Sequence, residues 1–444
     1  YWKGKTNSEL ALSYMAPETV KAMEHNVFTP GNYFYNGVGH VTVHYDKVLE
    51  KGLSGIIREA AEELSRCQVG DADYATKHCF LEAVIMSCAA VIGYAERYAA
   101  LAKREAEDCA DPVRKQELLQ IAENCSRVPR EGAKSFWEAC QSFWFIQQLL
   151  QMEGSGHSIS PGRFDQYMYP YYKKDLDAGK ITRDQAQELI DCIWVKLNDL
   201  NKARDAASAE GFAGYSLFQN LIVGGQDENG LDVTNDLSFM CIWASHHVFL
   251  PQPSLSIRVW NLTPHELMIE AAKLTRTGIG LPAYYNDEVI IPSLMNRGLT
   301  LEDARTYNII GCVEPQKAGK TDGWHDAAFF NMCRPLEFVF SQGKDRGEQV
   351  GALTMRVEDM TTFEEFYDAY KQQMEYCISL LVNADNSIDT AHAIRCPLPF
   401  LSGLVDDCMK RGKSVQEGGA VYNFTGPQGF GIANVADSLY AIKT

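Results

Sequence analysis

Apolar residues recur at helical spacing through the first half of the chain. Leu53–Arg66, Leu81–Glu107 and the stretch from Lys115 to Glu153 are too long and too periodic for strands, and a break is expected near Pro129. Thr182–Leu200 repeats the pattern, and Thr182-Arg183-Asp184-Gln185 reads as an N-cap followed by a polar third residue. The second half changes character. Phe218–Val223 and Ser254–Val259 are short apolar runs with Gly or Pro at or near their ends, which predicts buried strands. Helical segments, Pro264–Thr277, Leu301–Tyr307 and Phe363–Val382, lie between or after them. Strands alternating with helices predict a parallel α/β sheet or barrel. No Pro/Ser-rich linker separates the halves, so residues 1–444 are expected to fold as one interlocked unit.

Charge and composition narrow the function classes. The formal net charge of −17 over 444 residues repels phosphate backbones and argues against a nucleic-acid partner. No run of eighteen apolar residues occurs, so no membrane-crossing helix is expected. The first residues, YWKGKTNSEL, contain no apolar signal core. The 13 cysteines show no CxxC or paired spacing, so no zinc or iron–sulfur site is expected. Nor is there a G-x-S-x-G elbow, an H-E-x-x-H helix or a P-loop.

One local motif stands out: Gly311-Cys312-Val313-Glu314-Pro315-Gln316, after the apolar run Tyr307–Ile310. The glycine frees the backbone for a tight loop, and the proline stiffens it beyond Glu314. If residues 312–314 are extended, Cys312 and Glu314 face one side with their Cβ atoms ~7 Å apart, twice the strand rise. A thiol and a carboxylate so placed could remove a hydrogen atom and a proton from one small molecule. The plainer alternative is a strand end with a buried thiol and a solvated acid. His40 and His157 each follow a Gly-x-Gly turn, where backbone can approach a ligand closely, and Ser158 adjoins His157. Histidine suits acid–base work near neutral pH. Asp326 follows Trp324 and His325, and Tyr215 precedes the apolar run at Phe218. Each of these residues taken alone is as compatible with a structural role. A hydrolase built on Cys312 with His40 or His157 stays open, although it leaves Glu314 unused.

At Gly311–Gln316 the chain resembles the glycyl radical enzymes, the family of pyruvate formate-lyase. The likeness extends to Tyr33–Gly52, Gly162–Tyr167, Phe218–Leu221, Pro251–Ser256 and Val421–Lys443, and so covers essentially the whole chain. It implies an incomplete α/β barrel surrounded by many helices, forming one pyruvate formate-lyase-like domain over 1–444. The Cys-x-Glu pattern resembles the dehydratases and C–N or C–S lyases of the family, above all the cobalamin-independent dehydratases of glycerol and propane-1,2-diol. That resemblance implies Cys312 as thiyl-radical residue, Glu314 as base, His40 as general acid, and His157, Ser158, Tyr215 and Asp326 as substrate ligands. It implies a stored glycyl radical installed by a radical S-adenosylmethionine activating enzyme, with no metal or cobalamin on this chain. It further implies a small diol substrate, a homodimer, and a cytoplasmic or microcompartment location. The family's Arg-Val-x-Gly-Tyr-like radical loop is not found within residues 421–444. The 444-residue chain alone is therefore expected to be inactive, whether as a piece of a complete enzyme or as its partner. Choline, isethionate and hydroxyproline remain as alternative substrates.

Overall fold

The computed structural model describes residues 3–444 apart from 36, 38, 155, 203–205 and 212–216. The helices of the first half fall where the apolar periodicity places them. Tyr45–Arg66, Tyr74–Asp108, Pro112–Arg127 and Phe136–Glu153 pack as a helical layer, and the expected break at Pro129 separates the last two. Arg183–Asp199 begins with the capping box at Thr182 and Gln185, which satisfies orphan N–H groups at the helix start. Tyr74–Asp108 is long and apolar enough to cross a bilayer by length and composition. Here it buries Leu81, Val84, Cys88, Val91 and Ala95 against its neighbours, the stripe of a core helix.

The second half carries the strands. β2 (Asn220–Gly224), β3 (Ser254–Val259) and β4 (Ala283–Asn286) form a parallel sheet, with helices Asp236–Val248 and His265–Thr275 in the connections. All five residues of β2 are buried, which explains its unbroken apolar run. β5 (Asn308–Ile310) and β6 (Glu314–Gln316) form an antiparallel hairpin. β7 (Thr321–Asn331) pairs antiparallel with β1 (Phe28–Pro30); a two-stranded ribbon, β8 (Lys344–Asp345) and β9 (Glu348–Gln349), follows; β10 (Tyr422–Phe430) returns to lie parallel to β7. The helix Phe363–Arg395 runs 33 residues, well past the expected Val382, because Ala384, Ile388 and Ala391 continue its buried stripe. One cluster of buried apolar side chains extends from Ala11 to Ala420 and takes members from both halves.

The Cys312 loop departs from the extended geometry expected for it. Gly311, Cys312 and Val313 form the turn of the β5–β6 hairpin, and Glu314 is the first residue of β6, paired with Ile310. Gly311 takes φ +57, the left-handed region that a side chain disfavours. Cys312 and Glu314 are thus related by a turn and not by strand alternation. Cys312 is exposed while Glu314 is buried.

Candidate active site

Three segments run side by side toward the Cys312 turn. The His40 amide donates to the His157 carbonyl at 2.8 Å, and the Ser160 amide donates to the Val41 carbonyl at 3.0 Å. Residues 157–162 then join β2, where Gly162 forms a parallel bridge with Leu221. The close approach that the Gly-x-Gly turns allow is therefore between chain segments: a Cβ on Gly39 would sit 1.8 Å from the His157 carbonyl oxygen. The turn is tied onto these segments. Asn220 Nδ2 donates to the Gly311 carbonyl at 3.2 Å, the Gly311 amide donates to Ser160 Oγ at 3.3 Å, and the Tyr285 hydroxyl donates to the Cys312 carbonyl at 2.5 Å.

The fourth wall is β7. Opposite it the β10 register slips between Gly426 and Gln428, so β7 bulges around Asp326. A bulge re-aims a side chain, and Pro427 at the slip has no N–H to give a ladder. Asp326 takes φ +62 there. Left-handed backbone is unusual for residues other than glycine, and among the described residues nine such positions occur. Three of them are His40, Ser158 and Asp326.

These placements bring together residues far apart in sequence. His40 Nε2 lies 3.5 Å and His157 Nε2 3.6 Å from Asp326 Oδ2, and the three ligating atoms all fall within 4.8 Å of one another. Asp326 Oδ1 accepts from Gln428 Nε2, and His40 Nδ1 is hydrogen-bonded to the Tyr33 hydroxyl. A Cβ on Gly311 would meet Glu314 Oε2 at 2.7 Å and His40 Nε2 at 2.8 Å, so these two groups flank the glycine. Among the described residues, buried polar atoms without a hydrogen-bond partner include His40 Nε2, Ser158 Oγ, Glu314 Oε1 and His325 Nε2 at this site. Buried polar atoms are nearly always paired, so a cluster of orphans marks a place for a polar ligand. Tyr215 lies outside the described residues. His325, Tyr33 and Gln428 join the site without having been singled out in the sequence. The one signal for His325 was its place beside Asp326.

The charges here are tuned by burial. Glu314 is pushed up to about 7, by burial first and then by the Asp326 carboxylate, despite an opposing hydrogen bond from the Val313 amide. Burial and the rings of His157 and His325 hold His40 well below the usual histidine range, so its resting form is neutral. His325 is lowered to about 4 by burial and Arg297. Although Cys312 stands at the mouth, the surrounding protein and the Glu314 and Asp326 carboxylates push its thiol up to about 12. It is a protonated thiol at neutral pH, the opposite of a nucleophilic cysteine, whose thiolate must be stabilised. The two carboxylates beside it both oppose its ionisation.

A protonated thiol at a hairpin turn, backed by a neutral-range carboxyl group, is the point at which likeness to known proteins becomes informative. The pyruvate formate lyase-like family profile matches residues 1–444. The chain belongs to that family. Among its glycyl radical relatives, the structure from work on 1,2-propanediol dehydration in Roseburia inulinivorans is 71% identical and superposes with a TM-score of 0.97, covering 100% of this chain and 56% of that one. The glycerol-bound B12-independent glycerol dehydratase of Clostridium butyricum is 59% identical with a TM-score of 0.96, again over 100% and 56%. The (2S)-3-sulfopropanediol dehydratase of Klebsiella oxytoca is 38% identical over 452 residues, 100% of this chain and 54% of that enzyme. The chain thus spans about half the length of the relatives it matches. Its mixed α/β architecture, rich in helices, is the glycyl radical enzyme fold, and its relatives are dehydratases and lyases.

Proposed function

We propose that the protein eliminates water from a small 1,2-diol, glycerol or propane-1,2-diol, to give an aldehyde. The observation that carries this reading is the trio of orphaned polar atoms on His40, Ser158 and Glu314 beside a thiol held in its protonated form. A buried polar site open at a hydrogen-atom donor suits radical chemistry on a polyhydroxylated substrate. The stored glycyl radical, installed by a radical S-adenosylmethionine activating enzyme, would supply the oxidising equivalent that converts the Cys312 thiol to a thiyl. Residues 1–444 hold no Arg-Val-x-Gly-Tyr-like loop, so that glycine would come from outside these residues.

The Cys312 thiyl takes the hydrogen atom from C1 of the diol and is restored to a thiol. Glu314, titrating near 7, is basic enough to take the proton of the C1 hydroxyl as the radical forms. The electron pair left on that oxygen closes the carbonyl as the C2–O bond breaks. The departing hydroxyl takes a proton from the His40 side of the pocket. An imidazolium whose pKa is depressed is a strong acid, so a proton placed on His40 is passed on at once, and Asp326 Oδ2 offsets its charge meanwhile. Glu314 and His40 flank Gly311, so the proton gained at one can be returned to the other inside the pocket. The C2 radical then takes back the Cys312 hydrogen, giving aldehyde and water. His157, Ser158, Tyr215 and Asp326 would hold the two hydroxyls. A Cys312 hydrolase is disfavoured, because the two carboxylates oppose the thiolate that reaction needs.

The test is anaerobic assay of the protein at the full length of its relatives, activated and offered glycerol, propane-1,2-diol, choline and isethionate. Aldehyde from a diol, lost in Cys312→Ser while the glycyl signal in electron paramagnetic resonance persists, is the expected result. Faster turnover of choline or isethionate would replace the diol assignment.

A further inference from the structure

We propose that His40, His157 and Asp326 form a binding site for a divalent transition metal of the zinc class, and that such an ion blocks the resting pocket. Two imidazoles and one carboxylate make up a donor set suited to Zn²⁺, Fe²⁺ or Co²⁺, with open positions left over. The geometry points the same way. Ligand atoms ~2.1 Å from a tetrahedral ion stand ~3.4 Å apart, and Asp326 Oδ2 already lies 3.5 and 3.6 Å from the two imidazole nitrogens. The three ligand atoms lie within 4.8 Å of one another, so the two rings would close by up to ~1.4 Å around an ion.

The surroundings add three further conditions. His40 Nε2 is buried and has no hydrogen-bond partner, so in the tautomer protonated at Nδ1 its lone pair is free for an ion. Its other nitrogen meets the Tyr33 hydroxyl, which can accept as well as donate and so can fix the tautomer that frees Nε2. Gln428 holds the outer Asp326 oxygen, leaving the inner one for an ion. A cation here also relieves the crowding of the Asp326 and Glu314 carboxylates, whose mutual repulsion contributes to raising Glu314. The local sequence could not show this site, because its ligands come from the 40 loop, the 157 loop and the β7 bulge.

The competition with substrate rests on the diol reading; the metal site does not. The experiment uses the full-length protein in its radical-free form, titrated with Co²⁺ as a visible probe and with Zn²⁺ in competition. One ion per chain is expected, with affinity falling about tenfold or more in His157→Ala and in Asp326→Asn, and unchanged in Cys312→Ser. Circular dichroism of each variant checks that it folds. Failure of the unmodified protein to retain any ion, or an affinity in either variant equal to that of the unmodified protein, overturns the proposal. Saturating propane-1,2-diol should weaken Co²⁺ binding. Undisturbed Co²⁺ binding in its presence would leave the metal site standing and overturn the diol pocket instead.

Discussion

Two buried polar regions of the molecule are built to opposite rules. The first is the Arg258–Asp287 pair, both side chains fully buried. Arg258 Nε and Nη2 donate to the two Asp287 oxygens at 2.8 and 2.7 Å, Nη1 also donates to the Tyr307 carbonyl, and Nη2 also donates to the Arg305 carbonyl. Asp287 also accepts from the Tyr307 hydroxyl and from Gln226 Nε2. The guanidinium stacks 4.0 Å from the Tyr307 ring centre. Both Asp287 oxygens accept more than one hydrogen bond, and the network pins β3 to the start of β5. The second region is the Cys312 pocket, where His40, Ser158 and Glu314 keep buried atoms without partners and three residues take left-handed backbone. A satisfied network specifies structure, whereas an unsatisfied one stores a cost that a ligand can relieve.

That difference is most directly broken at Glu314. Glu314→Gln keeps the shape and removes the base, so kcat in the activated full-length protein should fall ~10²–10⁴-fold. In the unmodified enzyme the ascending limb of kcat against pH should have its midpoint near 7, since Glu314 must be ionised to act. A midpoint near the ordinary value of 4.5 would mean that the carboxyl is not held as the structure has it. On the other side of the comparison, Asp287→Ala leaves Arg258 buried without its counter-charge and should destabilise the fold by about 3–5 kcal/mol. Thermal unfolding of that variant checks it, and an unchanged midpoint would show that the network is not structural.

The next effect joins stability to pH. Glu314 binds its proton more tightly folded, at about 7, than unfolded, at 4.5. Between those values the unfolded state is the one that gives up its proton more readily, so this group's contribution to stability is full below 4.5 and is lost as pH rises to 7. The span amounts to about 3 kcal/mol. Glu314→Gln should therefore be more stable than the parent at pH 8 and indistinguishable at pH 4.5. A variant that damages turnover would then be one that relieves the fold, and equal unfolding temperatures at pH 8 would refute it.

The two regions also differ in how legible they were. The helices and β2 and β3 were readable because burial repeats with a fixed period, as in the stripe of Tyr74–Asp108 or the fully buried run of β2. The Cys312–Glu314 pair was legible as chemistry but not as geometry: Gly311 turned an expected extended run into a hairpin turn. Asp326 and His40 depend on left-handed backbone and on a register slip opposite Pro427, neither of which has a local periodic signature. His325 and Gln428 entered the site only through pairing of β7 with β10. The Arg258–Asp287 network left no local signature at all, since its members are brought together from separate strands and loops.

The smallest expected effect separates two serines one residue apart from being neighbours. Ser160 Oγ accepts from the Asn220 amide at 3.0 Å and the Gly311 amide at 3.3 Å, and donates to the Ser158 carbonyl at 3.2 Å. Ser160→Ala strands two buried amides and should cost about 1–3 kcal/mol of stability. Ser158 Oγ is equally buried but has no partner, so its removal strands nothing. Ser158→Ala should leave the unfolding temperature within the scatter of replicate scans, or raise it slightly. Its effect should appear in binding, as a several-fold rise in KM for the diol with little change in kcat, the pattern of a contact made equally to substrate and transition state. If Ser158→Ala unfolds early and leaves KM untouched, the hydroxyl belongs with the satisfied network and the pocket loses one of its three substrate-facing atoms.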